Sequence, residues 1–413
     1  MLRQCTIDEQ NCVLPERLSA EGEGLMNESL RKEYETRLEN ARIDASRRGF
    51  DALLVVGLAP RRVGDLMYLT GHQPLLPGHP RRYGFRGRGY SVIVLPIDTE
   101  PVLLCSTPFY EDDLYIRDIR YGNNLIEEIG KVLNERGIQK GDIGIVGMDV
   151  LNAALYIDLQ KELYQAKFYF ADDLIMNLRA EKSAYEIGRL RAGARIGDEV
   201  GALLREYLRP GLTEREVYRF ITDELTKRGV TGAFATCQSG IRSEKPYDLV
   251  PASDKVIEDG EMVHMEINGK LDGYMIDICR STVVGSISDR QREILEITLE
   301  MLEASIEAMK PGVIAGELEK ITGEIALRNG FTHHHTMTYG GPGTYLGHAI
   351  GLGVDEPPVI ALGDKTKLVP GMVITMEPGL YNTGVGGCRI EDEVLVTKNG
   401  YEVLNTFDRK WWQ

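Results

Sequence analysis

The second half of the chain repeats one order of elements: two helical segments, then a hairpin carrying one carboxylate on each strand. The helical segments lie at about 183–208 and 213–229, then at about 288–309 and 315–329. In MVHMEINGKLDGYMIDICRSTVV the midpoint between Glu266 and Asp277 falls on Leu271-Asp272, the expected turn. In GMVITMEPGLYNTGVGGCRIEDEVLVT the midpoint between Glu377 and Glu391 falls on Gly384. Residues placed symmetrically about a turn face each other across antiparallel strands, with Cβ atoms roughly 4.5–5.5 Å apart. Two facing acid pairs repel unless a cation or shared protons hold them together. The two repeats share layout without clear identity, so the pattern predicts an internal two-fold with an active site on its axis.

The first half reads differently. A charged helix at about 29–49 precedes the buried strand DALLVVG, and RGYSVIVLP and EPVLLCS follow as strands joined at Ile97-Asp98-Thr99-Glu100. A helix near 124–136, the strand GDIGIVGMD and a helix near 151–164 continue an alternating pattern. Such alternation predicts a doubly wound α/β sheet. The expected division is an N-terminal extension over 1–30, an α/β domain over 31–174 and an α+β domain over 175–413.

The chain of 413 residues carries 63 acidic and 48 basic side chains, a formal charge of -15. That sign argues against nucleic acid as a partner, because phosphate binding needs basic patches. No apolar run approaches the ~18 residues of a membrane span. MLRQCTIDEQNCVLPERL lacks the apolar core of a secretory signal. Cys5, Cys12, Cys105, Cys237, Cys279 and Cys388 follow no metal-binding or disulfide spacing, so reduced thiols and a cytoplasmic location are expected.

Carboxylate and imidazole donors suit a divalent ion such as Mn, Co, Fe or Zn. Two ions about 3.5–4 Å apart, bridged by acids, activate water and polarise a carbonyl. Such a site needs five side chains, and Glu266, Asp277, His348, Glu377 and Glu391 supply five. His348 lies between Gly347 and Ala349 in a tight segment, which favours ligation or oxyanion contact over core packing.

GHAIGLGVDEPPVI, GMVITMEPGLY and GGCRIEDEVLVT resemble the C-terminal motifs of the creatinase/prolidase/methionine-aminopeptidase family, whose catalytic fold is called pita-bread. MNLRAEKSAYEIGRLRAGARIGDEV resembles the opening of that catalytic domain, and the likeness spans roughly residues 30–410. It implies a creatinase-like N-terminal α/β domain, a pita-bread catalytic domain, and a ligand set falling on Glu266, Asp277, His348, Glu377 and Glu391, for one or two ions per chain. Glu266 stands where the family has Asp, and the extra methylene moves its carboxylate by about 1.5 Å. Asn268, two residues on, shares its strand face and can compensate. Tyr247, in SGIRSEKPYD, and Asp355, seven positions after His348, occupy places where peptidase members carry histidines that contact substrate or the tetrahedral intermediate.

The resemblance implies a homodimeric hydrolase that cleaves a C–N bond in a small amide, an amidine or an Xaa-Pro dipeptide with metal-activated water. Glu377 would shuttle the proton, and His348 would be ligand and oxyanion neighbour. Tyr247 can donate to the oxyanion and Asp355 can hold a cationic substrate group, or each can be structural. Arg389 is expected to pair with the neighbouring acids. The tract His333, His334 and His335 is expected in a solvated loop. Arg61, Arg62, Arg81, Arg82, Arg86 and Arg88 concentrate positive charge in APRRVGDLMYLTGHQ and GHPRRYGFRGRGY. They form a solvated run, or else some, Arg61 and Arg88 among them, reach a partner's pocket and hold a substrate carboxylate. Two other readings stand beside this one: a metal-free creatinase-like hydrolase of a guanidine or ectoine-like solute, and a non-catalytic binding protein on the same scaffold.

Overall fold

The computed structural model describes residues 28–59, 62–74, 81–82, 85–106, 114–245, 251–332 and 345–412. Its first half runs α1 (Glu28–Arg47), β1 (Ala52–Leu58), α2 (Gly64–Thr70), β2 (Arg81–Arg82), β3 (Phe85–Arg86), β4 (Tyr90–Pro96), β5 (Val102–Cys105) and β6 (Asp118–Tyr121). It continues through α3 (Leu125–Glu135), β7 (Asp142–Val146), α4 (Ala153–Glu162), β8 (Lys167–Phe170) and α5 (Asp172–Ala180). The sheet order is β6-β5-β4-β1-β7-β8. β1 is apolar throughout, so it takes a central place with both faces covered. Leu53 and Val55 pack with Leu38 and Ala41 of α1, Leu66 of α2 and Ile175 of α5. Leu54 and Val56 pack on the other face with Ile129 of α3 and Leu155 of α4. These layers match the expected α/β domain. The sheet is mixed because the short β4–β5 connection can join only antiparallel strands.

The second half runs α6 (Ala184–Tyr207), α7 (Glu214–Lys227), β9 (Thr231–Ser239), β10 (Glu261–Leu271), β11 (Tyr274–Val284), α8 (Asp289–Glu307) and α9 (Ala315–Arg328). It then adds β12 (Gly347–Ala349), β13 (Glu356–Ile360), β14 (Val373–Met376), β15 (Gly379–Leu380), β16 (Cys388–Arg389), β17 (Asp392–Val396) and β18 (Tyr401–Val403). Local chemistry sets the helix starts. Ser183 and Glu186, Thr213 and Glu216, and Ser288 and Gln291 form reciprocal capping boxes on α6, α7 and α8. The apolar faces of α7 (Val217, Ile221, Leu225), α8 (Ile294, Leu295, Leu302) and α9 (Leu318, Ile325) meet sheets β11-β10-β9 and β13-β12-β14-β17-β18 in one core. Each such side chain, fully buried, contributes about 1.5–3 kcal/mol.

The β10–β11 hairpin corrects the expected register. Asp272 and Gly273 have φ of 50° and 88°, the two left-handed residues of a two-residue turn. The turn is therefore centred one residue later than the midpoint of the acids. Glu266 faces Cys279, and Asp277 faces Asn268. The second hairpin keeps its expected register: Met376↔Asp392 and Gly379↔Arg389 flank the position where Glu377 lies opposite Glu391.

The two halves share packing. One core runs from β1 and α1 into Leu190 and Ala194 of α6, Tyr274 of β11 and Ile350. Arg179 of α5 bonds Asp65 at 2.6 Å and also touches Glu356 of β13, while Arg37 lies 3.4 Å from Glu186.

Candidate active site

Sheet hydrogen bonds position the acids. Asp277 projects from β11, and its N–H donates to Glu393 Oε1 at 2.9 Å. Glu377 N–H donates to the Leu346 carbonyl at 2.9 Å, and Glu391 N–H to the Cys279 carbonyl at 3.0 Å. His348 sits on β12, where Gly347 is required: a Cβ there would enter the Thr375 carbonyl.

The structure brings four of the five expected donors around one ring. His348 Nε2 lies 3.7 Å from Asp277 Oδ2 and 3.5 Å from Glu377 Oε1. One donor atom each from Asp277, His348 and Glu391 falls within 4.8 Å of the others, all buried. Donors sharing one ion at bonds of about 2.1 Å stand roughly 3.4 Å apart, so this spacing fits coordination. Mixed carboxylate and imidazole donors fit a divalent cation.

Electrostatics agree with that use. Burial pushes the His348 imidazole below its ordinary pKa, against the pull of Asp355, the direction that favours the neutral form a metal ligand needs. Its Nδ1 lies 3.2 Å from the Ala349 carbonyl. The Asp355 N–H also approaches Nδ1, at 3.3 Å, so Nδ1 meets both a donor and an acceptor, and a cation at Nε2 would select the tautomer that donates to Ala349. Burial, then Glu391, Glu393 and Asp355, push the Asp277 carboxyl well above its usual range. A bound cation reverses that direction.

Glu266 is drawn elsewhere. One oxygen contacts the Arg389 guanidinium and lies 3.4 Å from His264 Nε2, while Oε2 accepts from Asn268 Nδ2 at 3.1 Å. His264, Glu266 and Cys279 form a second buried group. Arg389 also reaches Glu377 Oε2 at 3.1 Å, the ion pair expected for it. His264 and Cys279 escaped sequence reasoning, although the alternation His264, Glu266, Asn268 already placed three polar side chains on one strand face.

Asp355 is the exposed neighbour of the ring, its side chain 56% exposed and Oδ1 3.6 Å from His348 Nε2. Arg88 lies over the Phe85 ring at 5.3 Å rather than among the acids. Arg62 is held within its own half by Asp65 at 2.9 Å and Asp172 at 2.8 Å, so it belongs to a structural network. Tyr247, Arg61 and His333, His334 and His335 lie outside the described residues.

Comparison with known proteins follows the same line. Metallopeptidase family M24 matches residues 188–398, just over half of the 413. A Xaa-Pro dipeptidase of Pyrococcus horikoshii is 37% identical over 255 residues, which cover 61% of this chain and 70% of that protein. Among solved structures, a Xaa-Pro dipeptidase from Bacillus anthracis superposes with TM-score 0.79 at 28% identity, covering 91% of this chain and 99% of that one. The prolidase from Pyrococcus furiosus gives 0.75 at 30% identity, covering 89% and 100%.

Proposed function

Because the chain belongs to metallopeptidase family M24, a family of hydrolases, we propose that it hydrolyses Xaa-Pro dipeptides at the Asp277, His348, Glu377 and Glu391 cluster. The carrying observation is the buried donor set of Asp277, His348 and Glu391, with Glu377 Oε1 3.5 Å from the ring. Asp277, His348 and Glu391 would hold the divalent ion, Mn, Co, Fe or Zn. When bound, such an ion lowers the pKa of a water and polarises the scissile carbonyl.

The chain's own groups do the rest. Arg389 holds Glu377 through Oε2, leaving Oε1 turned to His348. Glu377 Oε1 takes a proton from the attacking water and returns it to the departing imino nitrogen, general acid–base work worth about 10²–10⁴-fold. Sheet packing excludes bulk water from Asp277, His348 and Glu391, each at most 4% exposed. That strengthens every charge interaction there.

A homodimer and a cytoplasmic location belong to the same proposal. Cys105, Cys237, Cys279 and Cys388 are all buried thiols, which suits a reducing compartment. Among the described residues no helix is long and apolar enough to cross a membrane.

The test is turnover of an Xaa-Pro dipeptide panel beside guanidine and ectoine-like solutes, with Mn²⁺ and with chelator. Metal-dependent dipeptide cleavage, lost in Glu377→Gln and His348→Ala, is expected. Chelator-resistant cleavage of the solutes alone would replace this reading with the metal-free one.

A further inference from the structure

Asn268 and Asp277 are direct partners in the β10–β11 ladder, so their side chains leave the same face of the sheet as neighbours. Glu266 is the partner of Cys279, two pairs further from the turn and on the same face. Its carboxylate is engaged by Arg389, by His264 and by the Asn268 amide. Asn268 Nδ2 donates to Glu266 Oε2 at 3.1 Å, which settles the orientation of the amide. The opposite end, Oδ1, is buried and accepts no hydrogen bond from any described residue. A buried acceptor left unmade is costly, and one beside a carboxylate whose ring neighbours are ligand-spaced calls for a cation.

We propose that Asn268 gives its amide oxygen as a ligand to the ion held by Asp277, His348 and Glu391, in the place expected of Glu266. Glu266 then acts as a positioning residue, holding the amide through Nδ2 while Arg389 holds it. This rests on the reading of the cluster as a metal centre. It also carries a stoichiometry. A neutral amide in place of a carboxylate removes one negative charge from the ligand set. Arg389, joined to both Glu266 and Glu377, supplies fixed positive charge where a second ion would need those acids. One tightly bound ion per chain follows. The group His264, Glu266 and Cys279 does not take the ion, because an ion there meets the guanidinium and Cys279 Sγ already donates to the Arg389 carbonyl at 3.6 Å.

The experiment is titration of the full-length, metal-stripped protein with Mn²⁺, followed by calorimetry and by the free-Mn²⁺ electron paramagnetic signal. The wild type and Asn268→Ala, Asn268→Asp and Glu266→Gln are compared, each checked for folding by circular dichroism. One equivalent in the wild type is expected, with a Kd raised about 10–100-fold in Asn268→Ala. Asn268→Asp keeps an oxygen for the ion while losing the donor to Glu266, so it binds at least as tightly as the wild type. If Asn268 only steadied Glu266, Asn268→Asp would bind as poorly as Asn268→Ala, and the proposal would fall. An unchanged Kd in folded Asn268→Ala overturns it too. A wild type that binds Mn²⁺ through Asn268 yet cleaves no Xaa-Pro dipeptide would sink the proposed substrate and leave the ligand assignment standing. A wild type that binds no divalent ion would end both.

Discussion

Asp355 meets His348 at both ring nitrogens: its N–H reaches Nδ1 at 3.3 Å, and its Oδ1 stands 3.6 Å from Nε2. The Tyr345 hydroxyl donates to the same Oδ1 at 2.9 Å. The backbone here is left-handed, with φ of 57°, and the next residue, Glu356, is anchored by Lys182 at 3.3 Å and by Arg179. A half-exposed carboxylate fixed beside the His348 ring favours a substrate ammonium. Exposed pairs are worth about 0–1 kcal/mol, so Asp355→Asn should raise KM for dipeptides with a free amine about two- to fivefold, with kcat changed less. An N-acetylated substrate should show no such difference. Equal effects on both substrates would remove Asp355 from recognition.

Arg389 is the fixed cation between two buried acids, at most 4% exposed on its side chain. Arg389→Met strands Glu266 and Glu377 together. Breaking a buried pair costs about 3–5 kcal/mol, so a clear drop in the urea midpoint is expected. A midpoint within experimental scatter of the wild type would show that the acids find other partners.

Gly347 admits the Thr375 carbonyl against its Cα, and a methyl group there must push β12 away. Overpacking of this kind costs about 1–3 kcal/mol. Gly347→Ala should also move His348 and weaken Mn²⁺ binding, whereas Gly363→Ala, at an open left-handed turn, should cost stability alone. Calorimetry on both variants separates the two effects.

Glu319 of α9 sets a pH dependence of stability. Burial pushes its carboxyl up to about 7 from an ordinary 4.5, against a hydrogen bond from the Leu346 backbone. Its folded-state pKa is raised, so its contribution is fully present below pH 4.5 and is lost as pH rises through 7. The loss is on the order of 3 kcal/mol at pH 8. Glu319→Gln should therefore match the wild type near pH 4 and exceed it at pH 8, by denaturant melts. Parallel curves for the two proteins would contradict this.

Removing the ion should soften the whole second half. A ligand bound only by the folded state and present at about 100 times its Kd adds roughly 2.7 kcal/mol. Stripped protein should melt lower and recover with Mn²⁺, and the recovery should vanish in His348→Ala. Identical melts with and without ion would count against the metal centre.

Much of this molecule is local, and local features were legible. The charged helix ending before Gly49, the wholly apolar β1 and the helical segments that became α6, α7 and α8 needed no tertiary information, because turns and periodicity act within a few residues. The Glu377–Glu391 register was legible too, since its glycine-rich connection is centred on Gly384. The short elements α2, β6 and β8 were not, because their sequences carry little periodicity and their neighbours decide them.

What the sequence by itself determined was the fold family and the supply of acids around His348. Which acids meet was decided only in three dimensions. The Asp272-Gly273 turn moves the centre of the hairpin by one residue, so every partner changes by two positions while each side chain keeps its face of the sheet. Arg389 arrives from a strand more than a hundred residues away, draws Glu266 aside and leaves Asn268 facing Asp277. Charge seeks its nearest counter-charge, and nearness is a property of the packed sheet rather than of the chain.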